Sequence, residues 1–205
     1  VQLGRKFKNK PQIINIAKTY QSLACAYDNI KKHDIAEEYF DKAIHIINKK
    51  IQCDGKTSEE VDELTTIYCN LAFHYKELGS FDEAFDNLKT ALSYASLVDM
   101  NSERAAKIYH DMASIILCNK FGNIEDAERF ARQSLKIRSA LFPDESYYLA
   151  MSKYVLARAL IRKGGCDGLS EAKSLLSVIR PIYIKTLGED NADVKQLCEL
   201  LASLP

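Results

Sequence analysis

The sequence repeats a pair of helical patterns around small alanine anchors, and this repeat constrains the fold more than any other feature. The clearest copy is the segment Tyr68–Ala91. In its first half the apolar side chains recur at the three- and four-residue spacing of one helix face, at Tyr68, Leu71, Ala72 and Tyr75. This half therefore predicts an amphipathic helix.

A second helix is predicted directly after a turn in the same segment. The residues Leu78–Ser80 interrupt the apolar face, and Gly79 can take the left-handed backbone conformation that ends many helices. Ser80 and Glu83 have the spacing of a capping box at the start of the next helix. A helix pair of this kind cannot bury its outer faces alone, so we expect further copies to stack on it.

Three further copies are present. First-helix anchors lie about 41 to 48 residues apart, at Ala24, Ala72, Ala113 and Ala157. Second-helix anchors follow them at Ala36, Ala84, Ala127 and Ala172. We predict an all-α fold in one domain, 11–205, after a basic linker at 1–10. The four predicted repeats span about 12–50, 58–98, 101–141 and 144–187, and a ninth helix spans 191–204.

The repeat resembles the tetratricopeptide repeat (TPR) family, whose unit has a large residue, Leu-Ala and Tyr in its first helix and a Gly near the turn. The extra length after each second helix, with the Leu-Gly-x-Asp motif at 187–190, is similar to the longer repeats of kinesin light chains. The resemblance implies a right-handed superhelical solenoid of about four repeats, capped by the ninth helix. The first repeat departs from the pattern, because Lys31 replaces the turn Gly and His33 stands where the second repeat has Phe81.

Composition and residue spacing argue against nucleic-acid binding, membrane insertion, zinc binding by Cys and catalysis. The 28 basic and 28 acidic residues balance, which disfavours a nucleic-acid partner. No apolar run approaches the ~20 residues of a membrane span. The six Cys are scattered without a zinc-binding spacing, which favours reduced thiols and a cytoplasmic location. The four His are isolated along the chain, and no catalytic motif is present, so we expect neither enzymatic activity nor a cofactor or metal.

The resemblance also implies that the first helix of each repeat lines a concave groove. The predicted groove residues are Lys18, Gln21, Asn70, Phe73, Lys107, His110, Tyr154, Arg158 and Arg162. The carboxylate clamp with which some TPR proteins hold chaperone tails is matched only at Asn70 and Lys107, and Asp111 replaces its Arg. Binding of such a tail is therefore disfavoured.

We expect a non-catalytic protein-interaction module with an adaptor or scaffold role, which binds a peptide or protein segment in the groove. Tyr154, Arg158 and Arg162 suggest a partner with an apolar anchor flanked by acidic residues. Alternatively, Tyr154 and Val155 pack against the ninth helix and fill the groove. A second interpretation is a structural or regulatory segment of a larger protein or assembly, which targets or regulates an enzyme elsewhere in the chain.

Overall fold

The computed structural model describes residues 10–119 and 122–205, and these residues form nine α-helices and no β-strand. The predicted all-α class is therefore confirmed. Most of the predicted basic linker lies outside the described residues, and its last residue, Lys10, is the first residue of α1. The contacts divide the chain into two compact units, Val1–Met100 and Asn101–Pro205. The prediction of one continuous domain stays a prediction.

Unit 1, the part of Val1–Met100 that is described, contains two antiparallel helix pairs. Its helices are α1 (Lys10–Asn29), α2 (His33–Asp54), α3 (Ser58–Glu77) and α4 (Phe81–Ala95). Its core joins the two pairs, because side chains from α1, α2 and α3 meet in one buried cluster that includes Ala24, Phe40 and Ile67. This shared core buries the apolar faces that a single pair would leave exposed.

Unit 2, Asn101–Pro205, contains two further pairs and the ninth helix. Its helices are α5 (Glu103–Cys118), α6 (Ile124–Leu141), α7 (Tyr147–Lys163), α8 (Cys166–Leu187) and α9 (Ala192–Ser203). α9 packs on α8. All eight predicted alanine anchors are buried, with at most 1% of any of them exposed: Ala24, Ala36, Ala72, Ala84, Ala113, Ala127, Ala157 and Ala172. Larger side chains at these positions would separate the paired helices.

The turns of the first two repeats have the same hydrogen bonds but different residues. In the second repeat, Gly79 has φ 77° and its N–H donates to the Lys76 carbonyl at 3.0 Å. In the first repeat, Lys31 has φ 60° and its N–H donates to the Asp28 carbonyl at 2.8 Å. Both turns have the Schellman geometry that ends helices. Lys31 therefore holds a left-handed conformation that costs an L-residue about 1–2 kcal/mol.

The capping box predicted at Ser80 and Glu83 is wrong. Ser80 is the residue before α4, but its side chain accepts no capping hydrogen bond, and its ψ of 72° departs from the extended conformation that suits a cap. A capping box forms instead at α3, where the Thr57 backbone N–H donates to the Glu60 carboxylate at 2.8 Å. The Glu60 side chain also forms a buried ion pair with Lys50, which ties the end of α2 to the start of α3.

A buried polar network joins three helices of unit 2. The Arg138 side chain of α6, only 2% exposed, donates two hydrogen bonds to the Glu103 carboxylate at 2.9 and 3.1 Å. It also donates to the Tyr148 carbonyl at 3.0 Å and to the Ser152 hydroxyl at 3.1 Å. The Ser152 hydroxyl lies 2.8 Å from that of Ser134. This network provides hydrogen-bond acceptors for the N–H groups of a buried guanidinium.

Candidate functional site

The groove residues predicted in unit 1 lie on α1 and α3 and remain at least partly exposed. Within the described residues, Lys18, Gln21 and Asn70 make no side-chain hydrogen bond or ion pair; Lys18 is exposed and the other two are half-buried. Phe73 is 55% exposed, and the Lys76 ammonium lies 5.6 Å from the centre of its ring. These side chains are available to a ligand.

The groove residues predicted on α5 are less available. The Lys107 ammonium donates to the Asp111 carboxylate at 2.7 Å, an ion pair between residues four apart on one helix. His110 is half-buried beside them. Because Asp111 neutralises Lys107, this helix offers little net positive charge to an acidic ligand.

Tyr154 of α7 is buried rather than open to a groove. Only 9% of it is exposed, and its hydroxyl donates to the Gln196 side-chain carbonyl of α9 at 2.9 Å. Its ring lies against that of Tyr183, with 5.7 Å between centres, and the Arg158 guanidinium lies 5.8 Å from the Tyr154 ring. Burial raises the pKa of Tyr154, and Arg158 opposes this rise. These contacts favour the alternative in which Tyr154 packs against the ninth helix.

Arg162 lies at the end of α7 and reaches the end of a neighbouring helix. Its guanidinium donates to the backbone carbonyls of Ile116 and Leu117, at 3.0 and 3.3 Å. The last carbonyls of a helix have no partner within the helix, so Arg162 satisfies two of these groups at the end of α5. The predicted groove residues thus differ between the units, because those of unit 2 make more internal contacts.

A cluster that sequence analysis missed lies in unit 1, where α1, α2 and α3 meet. The Asp28 carboxylate oxygen Oδ1 lies 2.7 Å from Nδ1 of His33 and 2.8 Å from Nδ1 of His74. The other ring nitrogen of His74, Nε2, lies 3.3 Å from the Glu37 carboxylate. His74 is fully buried, whereas the side chains of Asp28 and His33 are 12% and 26% exposed. The cluster therefore reaches the surface through His33.

The spacing of these residues along the sequence does not predict that they meet. Asp28 and His74 lie in different repeats, so only the stacking of α3 on α1 brings them together. The expectation of isolated His side chains is therefore wrong for His33 and His74, whose ring centres are 5.5 Å apart. The one available signal was His33 itself, a polar residue where the second repeat has Phe81.

No helix among the described residues is both long enough and apolar enough to cross a membrane. Family models described as tetratricopeptide repeat match the chain at residues 17–49 and 63–140, which together make up more than half of it. No curated protein sequence matches the chain.

Solved structures share the fold at low sequence identity. BtubC (BKLC) from P. vanneervenii is 19% identical with a TM-score of 0.77, and the match covers 94% of this chain and 72% of that one. A Podosopora anserina structure, described as a kinesin light chain with nearly identical TPR-like repeats, is 19% identical with a TM-score of 0.68. Its match covers 93% of this chain and 85% of that one. A structure of a single-residue variant of that protein has a TM-score of 0.70 at the same identity and coverage.

These matches and the nine described helices establish an all-α helical-repeat solenoid. Its repeats indicate a module for interaction with proteins, on a fold that is generally non-catalytic. The repeat spacing, the buried alanine anchors and the family models agree, and the chain belongs to the tetratricopeptide repeat proteins, with a fold similar to that of the kinesin light chain structure.

Proposed function

We propose that the chain binds an extended segment of another protein through unit 1, on the face of α1 and α3 that carries Lys18, Gln21, Asn70 and Phe73. The observation that supports this location is Phe73, a residue of α3 that is 55% exposed. It is the most exposed aromatic side chain in the described part of the chain. An exposed aromatic surface of this kind suits an apolar anchor of a partner, because aromatic side chains often dominate binding energies.

The polar neighbours of Phe73 suggest the rest of the partner's chemistry. The Asn70 amide both donates and accepts hydrogen bonds, which suits the backbone of an extended chain. Lys76 lies beside the Phe73 ring, and Lys18 makes no ion pair among the described residues, so both cations favour acidic residues next to the anchor. We propose an adaptor or scaffold role in the cytoplasm, without catalysis and without a nucleic-acid partner.

A peptide selection tests this proposal. Random peptides displayed on phage are selected against the whole chain, and the affinity of the selected peptides is measured by fluorescence anisotropy. We expect an aromatic or aliphatic residue flanked by acidic residues to be enriched. Phe73→Ala should lower the affinity at least about tenfold, which corresponds to about 1.4 kcal/mol. Asn70→Ala should lower it less.

Two variants of unit 2 serve as controls. Val178→Ala removes an apolar side chain of α8 that is similarly exposed, at 52%, and should leave the affinity unchanged. Arg158→Glu should also leave it nearly unchanged. Loss of binding in Arg158→Glu, with binding retained in Phe73→Ala, would place the ligand on unit 2 and contradict the proposal. If no peptide is selected at all, the second interpretation, a structural or regulatory segment of a larger assembly, is favoured.

A further inference from the structure

We propose that Asp28, His33 and His74 bind one divalent transition-metal ion, with Zn²⁺ as the best match to their donor atoms. Each of the three side chains has one ligand atom within 4.8 Å of a ligand atom of the other two. The site lies within unit 1 and shares no residue with the proposed peptide-binding surface, although His74 directly follows Phe73 in α3.

The protons on His74 are the first argument for a cation. A neutral imidazole carries one N–H, yet both ring nitrogens of His74 face carboxylate oxygens, at 2.8 Å from Asp28 and 3.3 Å from Glu37. His74 is fully buried, so bulk water does not reach either of these contacts. A metal ion at Nδ1 would take the lone pair there, while the N–H at Nε2 donates to Glu37. Zinc-bound His residues commonly have such a carboxylate partner on the second nitrogen.

Asp28 provides a second argument. Its oxygen Oδ1 lies within hydrogen-bond distance of both Nδ1 atoms, at 2.7 and 2.8 Å. Zn²⁺ ligands in a tetrahedral site lie ~2.0–2.1 Å from the ion, which puts them ~3.3 Å from one another. The two distances from Asp28 to the His nitrogens would therefore need to lengthen by only about half an ångström to admit the ion.

The donor atoms indicate which ion fits. Two imidazole nitrogens and one carboxylate oxygen suit Zn²⁺ and related transition metals, whereas Ca²⁺ and Mg²⁺ prefer oxygen ligands throughout. Three protein ligands leave a fourth position free, and the partial exposure of His33 lets water reach it. The ion would link the first repeat, which supplies Asp28 and His33, to the second, which supplies His74.

Zinc titration of the whole chain under reducing conditions tests the proposal. After removal of metals by a chelator, isothermal titration calorimetry should show one tight Zn²⁺ site per chain. His33→Gln and Asp28→Asn should each weaken it by about 100-fold or more, and Glu37→Gln by about tenfold. His45→Gln is the matched control, because His45 is exposed on the same helix as His33 and outside the cluster. It should bind as the wild type does.

Thiols could also hold zinc, so Cys25→Ser is a second control. Cys25 precedes Asp28 by one helical turn, and we expect its loss to leave the affinity unchanged. The NMR signals of the imidazole nitrogens provide a readout without any mutation, since Zn²⁺ should shift Nδ1 of both His33 and His74 in the wild type. Unchanged Nδ1 signals at saturating Zn²⁺, or wild-type affinity for Zn²⁺ in both His33→Gln and Asp28→Asn, would overturn the proposal. The absence of a tight site in the wild type would also overturn it.

Discussion

Replacing Glu103 by Ala is expected to destabilise unit 2 more than replacing its partner Arg138 by Met, although each change breaks the same ion pair. Glu103→Ala leaves a guanidinium that is only 2% exposed with the Tyr148 carbonyl and Ser152 hydroxyl as its remaining partners. Removal of one partner of a buried ion pair costs about 3–5 kcal/mol. The 35% exposure of Glu103 in the native state argues for the lower end, about 3 kcal/mol.

Arg138→Met has a different effect, because the charge that remains is accessible to water. The Glu103 carboxylate can be hydrated, and the cost of burying the guanidinium disappears. The loss is then mainly that of hydrogen bonds to Tyr148 and Ser152, about 1–2 kcal/mol. The double variant should cost about as much as Arg138→Met alone, well below the sum of the single changes.

Urea unfolding followed by circular dichroism measures these differences in the free energy of unfolding. The comparison requires that the slope of this free energy against urea concentration is the same in all variants. Asp126→Ala is a matched control, because Asp126 also lies in the first turn of its helix but pairs with an exposed Arg129. It should cost less than about 1 kcal/mol. Equal costs for Glu103→Ala and Arg138→Met, or costs that add in the double variant, would refute the reasoning.

Three further changes test other parts of the fold. Lys50→Met leaves the fully buried Glu60 carboxylate without its cation and should lower the free energy of urea unfolding by about 3–5 kcal/mol. An unchanged urea midpoint would show that this ion pair does not stabilise the fold. Lys31→Gly should raise that free energy by about 1 kcal/mol, while Gly79→Ala at the equivalent turn should lower it, because both positions have positive φ. Burial raises the pKa of Tyr183 above the ordinary value near 10, so its contribution to stability is complete below pH ~10 and declines as the pH rises further. Urea midpoints between about pH 9 and 11 should fall less steeply in Tyr183→Phe than in the wild type, and equal slopes would contradict this prediction.

The helices could be predicted because their signals are local. Each alanine anchor belongs to an apolar face whose period is visible within one helix, and the burial of Ala24 and Ala157 follows from that period alone. The ion pair between Lys107 and Asp111 was also visible as a spacing of four, and would have shown that Lys107 is partly neutralised.

The candidate sites depend on contacts between distant residues. His74 meets Asp28 only after two repeats stack, and Tyr154 meets Gln196 only after α9 takes its place on α8. Neither the helical period nor the repeat pattern predicts that the members of these two pairs lie close together. The repeat comparison located the helix faces correctly, but it did not distinguish side chains open to a ligand from those that hold neighbouring helices.

The buried polar contacts between repeats have a consequence for correct assembly. Because every repeat presents similar small anchors, the wrong helix pair could stack on a given surface during folding, or a pair from a second molecule could replace it. The contact of Lys50 with Glu60 and that of His74 with Asp28 each need one particular partner. A misplaced repeat would leave these groups buried and unpaired. We therefore expect the loss of these contacts to destabilise forms with exchanged or permuted repeats more than the loss of any apolar contact in unit 1 does.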